Sequence, residues 1–215
     1  MNSPASGRSY HSPRRAAQAK ATRREILETA RRLFRERGYA ATTVPDVARA
    51  AGVSTKTVYL AFPTKRQLLL SVWDLALHGD DEQIPVADRD WFREMIEEPD
   101  PGRQMDLYTR NADRKGRFAD VLEVIRGAAA ADAEIAELWR KMQAEFHDNQ
   151  RRIVVALQQK GGLRPGLSVD DANDLLWTIN HPTVYYMLVT ERGWSAEKYR
   201  DWLATTLRQQ LLGEW

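Results

Sequence analysis

The twenty residues "VPDVARAAGVSTKTVYLAFP", 44–63, constrain the fold more tightly than any other part of the chain. Two helices that cross steeply need a small residue where they touch, and Ala48 supplies it. The tight turn between them needs a residue tolerant of positive φ, and Gly52 supplies that. Val47, Val53 and Val58 fall where such a pair buries side chains, and Phe62 closes the end. Thr43 with Asp46 three positions on is an acidic variant of the capping box, and Ser54 is placed to cap the second helix. This set of conditions predicts a helix-turn-helix.

Within "STKTVYLAFPTK", 54–65, Val58 and Phe62 point into the small domain and leave Thr55, Lys56, Thr57 and Tyr59 on the outward face. A recognition helix lies in the major groove with its N-terminal residues against base edges. Short hydroxyl donors and a lysine suit base edges, thymine methyls and phosphates. Thr42 and Thr43 at one helix start, and Lys65 at another, are placed for phosphate, which free N–H groups also favour. Taken singly these residues have plainer readings. Thr43, Ser54 and Thr64 would cap a helix in any protein, Tyr59 fits half-buried packing, and Lys65 fits a solvated surface. Their joint placement on a basic module points to DNA.

That module stands out in the charge pattern. Residues 1–78 hold 14 Lys/Arg against 5 Asp/Glu, whereas residues 79–215 hold 18 against 25, although the net charge is only +2. Such segregation suits a basic unit facing a polyanion, joined to a unit with another task. The chain has no cysteine, which excludes a disulfide framework or thiolate metal site and fits a reducing cytoplasm. No apolar run approaches a membrane span. The stretch "MNSPASGRSYHSPRRAAQAK" lacks the apolar segment of a secretory signal.

Residues 1–19 carry too little apolar material to fold, so a flexible basic arm is expected there. From Thr22, residues Ile26, Leu27, Ala30, Leu33 and Phe34 recur at helical spacing until Gly38. "TKRQ" at 64–67 starts a further helix through Leu68, Leu69, Val72, Trp73, Ala76 and Leu77. Beyond it the strong periodic segments are again helical: 88–97, 102–112, 115–130, 133–160, 168–190 and 195–212. The expected architecture is all-α, with an arm (1–19), a helix-turn-helix domain (20–78) and a C-terminal helical bundle (79–215).

Residues 20–78 resemble the DNA-binding domain of TetR/AcrR-family transcriptional regulators, on "TARRLFRERGY", "TTVPDVARAAGVSTKTVYLAF" and "PTKRQLLLSV". The resemblance implies a C-terminal helical domain that dimerises and holds a small-molecule pocket. It implies phosphate contacts at Thr42, Thr43 and Lys65, and recognition-helix contacts at Thr55, Lys56, Thr57, Tyr59 and Leu60. Ala61 stands where many members have histidine, so one backbone contact is expected to be missing.

In the second domain, residues 133–160 carry Ile135, Leu138, Trp139, Met142, Phe146, Ile153 and Leu157 on one broad stripe. Residues 168–190 carry apolar side chains on more than one face, which requires cover on two sides. A homodimer through these two segments is expected, since two half-sites are read together about a two-fold axis. Phe92, Tyr108, Trp139, Met142, Phe146, Trp177 and Tyr185 form an aromatic and methionine-rich set that fits a core as well as a ligand site. Asn149 interrupts the stripe, and "TINHPT" places Asn180 and His181 beside a proline within a helical segment. Apolar walls with a few polar groups describe a ligand pocket, so Asn149 and His181 join the candidate set.

Chemistry has little to attach to. "EFHD" spaces Glu145, His147 and Asp148 too closely to share a helix face, so no metal is expected. Nucleophile elbow, phosphate loop and dinucleotide fingerprint are missing, and with them any expected cofactor or enzymatic activity. Two readings follow: a ligand-responsive dimeric regulator that is released from a palindromic operator by an apolar small molecule, or a helical ligand-binding scaffold with a vestigial helix-turn-helix.

Overall fold

The computed structural model describes residues 13–78, 86–110 and 112–213. Every described element is helical: α1 (Pro13–Ala41), α2 (Val44–Ala50), α3 (Thr55–Ala61), α4 (Lys65–His78), α5 (Asp90–Glu97), α6 (Pro101–Arg110), α7 (Ala119–Ala129), α8 (Ala133–Gln159), α9 (Val169–Ile179), α10 (Pro182–Tyr185) and α11 (Ala196–Leu207). Short 3-10 turns at Val86–Asp88 and Ala112–Arg117 and π-helical turns at Tyr186–Glu191 and Arg208–Leu212 complete it. The all-α expectation holds.

Residues 13–19, expected as part of a flexible arm over 1–19, are helical. Residues 1–12 lie outside the described residues, and from Pro13 the chain is already helical. Proline suits the first turn of a helix, and "RRAAQAK" consists of strong helix formers that extend a helix nucleated by the packed residues beyond. The helix breaks at Gly38, which takes φ 81°, ψ 161°.

Two hydrophobic cores run through the molecule. The first joins Ile26, Leu33 and Phe34 of α1, Val47 and Ala48 of α2, Val58 of α3 and Leu68, Leu69 and Val72 of α4 to Val121, Ile125 and Ala128 of α7 and Ile135 of α8. The second gathers Phe92, Met95, Met105, Ile153, Leu157, Leu176, Tyr199, Leu203 and Leu207. Packing therefore crosses the sequence boundary at residue 78. Arg31 on α1 grips Asp120 on α7 through two hydrogen bonds, at 3.2 and 2.8 Å, and Arg66 on α4 pairs with Glu134 on α8.

The segment expected as one helix over 168–190 is broken. α9 ends at Ile179, and His181 caps α10 by accepting a hydrogen bond from the Thr183 amide on its own Nδ1, 3.2 Å away. Pro182 occupies the first turn of the new helix instead of kinking an old one. A residue before proline is driven out of the α region, and proline offers no N–H to continue the ladder. The break turns Asn180 and His181 toward the interior.

Candidate DNA interface and effector cavity

The helix-turn-helix is held by the interactions its sequence specifies. Thr43 and Asp46 close a full capping box: the Asp46 amide donates to Thr43 Oγ1 (3.2 Å), and the Thr43 amide donates to Asp46 Oδ2 (3.2 Å). Thr43 Oγ1 also donates to that carboxylate at 2.5 Å, and these bonds hold the Asp46 carboxyl below its usual range. Gly52 takes φ 66° in the turn. Ser54 Oγ accepts from the Thr57 amide at 3.1 Å to start α3.

With Val58 and Phe62 fully buried, α3 leaves Tyr59 46% and Leu60 78% exposed. They are two of the three large apolar side chains left exposed among the described residues. Lys56 is exposed beside them, and Thr55 and Thr57 are half-buried at the helix start. Lys65 is folded back: its Nζ lies 4.1 Å from the Tyr39 ring centroid and donates to the Ala40 carbonyl at 3.4 Å, and partial burial lowers its pKa.

Thr42 corrects the sequence reading. It is completely buried, and its hydroxyl donates inward to the Gly38 and Leu33 carbonyls, at 2.9 and 3.2 Å. The side chain secures the break after α1 and cannot reach a phosphate. Thr42→Val is expected to cost about 1–3 kcal/mol of stability by leaving those carbonyls short of a donor. The salt dependence of DNA binding should stay unchanged. Urea unfolding and a salt titration check both, and a lost phosphate contact with normal unfolding would restore the sequence reading.

Arg23 was missed. Its Nη1 donates to the Ala61 carbonyl at 3.0 Å, and its guanidinium stacks 4.2 Å from the Phe62 centroid, tying α1 to the end of α3. Nothing in helical periodicity distinguishes it from the other outward arginines of α1.

Below this module lies a cavity of about 580 Å³. Phe92, Tyr108, Met142, Phe146, Asn149 and His181 line it, as the sequence proposed. Trp139, Trp177 and Tyr185 do not. Trp139 packs against the first core. Trp177 stands behind His181, with ring centroids 5.1 Å apart, and Tyr185 stacks edge-on against Tyr199 at 4.8 Å. A helix presents one stripe to a cavity: Trp139 and Tyr185 lie on other faces of α8 and α10, and α9, which carries Trp177, presents no residue to it.

Three polar side chains that the sequence reading did not place in the site shape its floor. Lys115 Nζ donates to Asn180 Oδ1 and to the Tyr199 hydroxyl, the latter at 3.0 Å. Asn180 in turn donates from Nδ2 to the Tyr108 hydroxyl. Burial drives the Lys115 ammonium down to about 7 and pushes the Tyr108 and Tyr199 hydroxyls up. His181 is held down to about 4, chiefly by burial. It is therefore neutral near pH 7, with Nδ1 accepting from Thr183 and Nε2 donating to Gln143 Oε1 at 2.9 Å. Gln150, on α8, is 1% exposed and finds no partner for either amide atom. Its place in the α8 stripe was readable, four residues after Phe146 and three before Ile153. Lys115 sits in a 3-10 turn without periodicity, where nothing local signals burial.

The stripe of α8 also changes the expected dimer interface. Ile135 enters the first core, Met142, Phe146 and Ile153 line the cavity, and Leu157 enters the second core. Much of the apolar face of 133–160 is thus met within the chain itself, with Leu138 left half-exposed.

Comparison with known proteins agrees with this architecture. Residues 26–72 match the model of "Bacterial regulatory proteins, tetR family". The HTH-type transcriptional regulator CymR of Pseudomonas putida is 34% identical over 172 residues, covering 78% of this chain and 80% of CymR. NalD of Pseudomonas aeruginosa, described as the secondary repressor of the MexAB-OprM multidrug efflux pump, superposes with a TM-score of 0.67 at 22% identity, over 92% of this chain and 100% of NalD. A complex of SmeT, from Stenotrophomonas maltophilia, with triclosan gives 0.65 at 17% identity, over 89% and 92%. The chain belongs to the tetR family of bacterial regulatory proteins.

Proposed function

We propose that the protein is a ligand-responsive transcriptional repressor that reads a palindromic operator as a homodimer in the cytoplasm. One observation carries this reading: α3 buries Val58 and Phe62 while holding Tyr59, Leu60 and Lys56 outward at the surface of the basic module. Exposing a tyrosine and a leucine has no packing purpose, but it suits thymine methyls and base edges in a major groove. Thr43, Thr55, Thr57 and Lys65 stand around them for backbone contact, with Lys65 needing to swing off Tyr39. Ala61 leaves one backbone contact out.

The effector occupies the cavity. Trp73 and Leu77 of α4 and Leu122 of α7 form part of its wall, and the same helices carry the core of the reading head. A ligand that fits best when these helices are displaced shifts the separation of two heads whose half-sites lie ~34–36 Å apart for a one-turn spacing. A coupling of ~1–3 kcal/mol weakens operator binding roughly 5- to 150-fold. The SmeT–triclosan complex supports the class of effector, a largely apolar small molecule.

Fluorescence anisotropy with the DNA upstream of the protein's own gene tests the reading. Tyr59→Ala should weaken that complex by about 1–3 kcal/mol and leave thermal unfolding unchanged, since the side chain is half exposed. Equal affinity of wild type and Tyr59→Ala would overturn the placing of α3 against the bases, whereas no binding by either favours the scaffold reading with a vestigial helix-turn-helix.

A further inference from the structure

We propose that the effector is an anion: an aromatic body bearing a carboxylate-type group that seats between Lys115 Nζ and the Gln150 amide on the cavity floor. This rests on the assignment of the cavity as the effector site and deepens it.

The charge lining is one-sided. Arg89, Arg114, Lys115 and Arg117 border the cavity, against Glu145 as the single carboxylate among the described lining residues. Lys115 differs from the arginines because it is 7% exposed, and its two hydrogen-bond partners, Asn180 Oδ1 and the Tyr199 hydroxyl, are both neutral. An ammonium has three donors, so one N–H remains for the cavity. A buried cation without a counter-charge is costly, and burial lowers its pKa to about 7. A purely structural strut would be served as well by a neutral side chain. Gln150 adds an independent observation: it lines the same cavity, is 1% exposed, and leaves both Nε2 and Oε1 without a partner. Orphaned amides of this kind are rare because each carries its full desolvation penalty. An oxyanion accepting from Lys115 Nζ and Gln150 Nε2 gives the ammonium a counter-charge and the amide N–H an acceptor. The remaining walls, with Trp73, Trp91, Phe92, Phe118 and Phe146, suit a ring system.

Isothermal titration of the full chain with 2-naphthoate and 2-naphthamide separates charge from shape, because the two probes share a ring and differ in the anion. The wild type should prefer naphthoate at least about tenfold. Lys115→Met should abolish that preference and leave naphthamide affinity within about twofold. Gln150→Leu, which removes the orphaned amide, should melt higher than the wild type and bind naphthoate more weakly, and it guards against misfolding of the lysine variant. Equal binding of both probes, unchanged by Lys115→Met, overturns the anion assignment and leaves the cavity as the effector site. No heat from either probe in any variant overturns the effector cavity itself and the anion assignment with it.

Discussion

Replacing Ile125 by alanine is expected to unfold the reading head and the C-terminal bundle together, at a cost of about 2–5 kcal/mol. Ile125 lies in the second half of the chain by sequence, yet it is fully buried in the first core, where α7 packs on α1 and α4 of the reading head. Removing its branched end leaves a void that helices pinned by the Arg31–Asp120 pair cannot collapse to fill. At this chain length each kcal/mol moves the melting temperature by about 2–4 °C, so the shift should be on the order of 10 °C. The shape of the transition matters more than its position. If α7 belongs to both modules, calorimetry shows a single cooperative transition moved down as a whole. If the head were an independent domain hung on a linker, it would melt as a separate, earlier transition with the bundle unmoved. The same geometry is what a ligand in the cavity needs to reach the DNA face, because Leu122, three residues from Ile125 on α7, is in the cavity wall.

How far the sequence was readable follows from which residues interact locally. The capping box of Thr43 and Asp46, the turn at Gly52 and the cap at Ser54 are bonds between residues three apart or a single backbone angle. A window of twenty residues contains their whole cause. The outward face of α3 follows from Val58 and Phe62 by helical spacing alone. Thr42 failed because its role depends on where the Leu33 and Gly38 carbonyls point after α1 breaks, which composition does not reveal. In the second module the polar contacts that were missed are distant in sequence. Lys115 meets Asn180 and Tyr199 across 65 and 84 positions. Trp139 and Trp177 sit on amphipathic helices with two buried faces, and periodicity identifies a face as apolar without saying which neighbour covers it. The α8 stripe is the clearest case: it was read correctly as apolar, and much of it meets the chain's own cores and cavity. Pro182 shows the opposite failure, where a residue known to disrupt helices was placed correctly and given the milder of its two effects.

The largest functional effect is expected from Met187→Asp. Met187 is 51% exposed in the single chain and is the one large exposed apolar side chain among the described residues that lies outside α3. It sits in the π-helical turn after α10, and Trp194, just before the neighbouring α11, packs edge-on against the half-buried Trp202 of that helix at 6.1 Å. Since most of the apolar stripe of α8 meets the chain's own cores and cavity, this part of the expected 168–190 segment is where a second copy is expected to dock. An aspartate at a half-exposed position is harmless to the monomer fold, so any loss reads the interface alone. In a two-fold dimer the substitution appears twice, on both sides of one isologous contact. Each carboxylate is then desolvated without a partner, which costs several kcal/mol. Sedimentation at micromolar concentration should show the variant as a monomer with an unchanged helical circular dichroism spectrum. Operator affinity should fall about 10²- to 10⁴-fold, because two heads no longer share one effective concentration over the two half-sites. Met187→Ala should lose far less, since it removes contact area without burying a charge. A Met187→Asp protein that sediments as a dimer and binds the operator like the wild type would move the interface elsewhere. A monomeric variant with undiminished affinity would mean that one head suffices, and the palindromic operator would go with it.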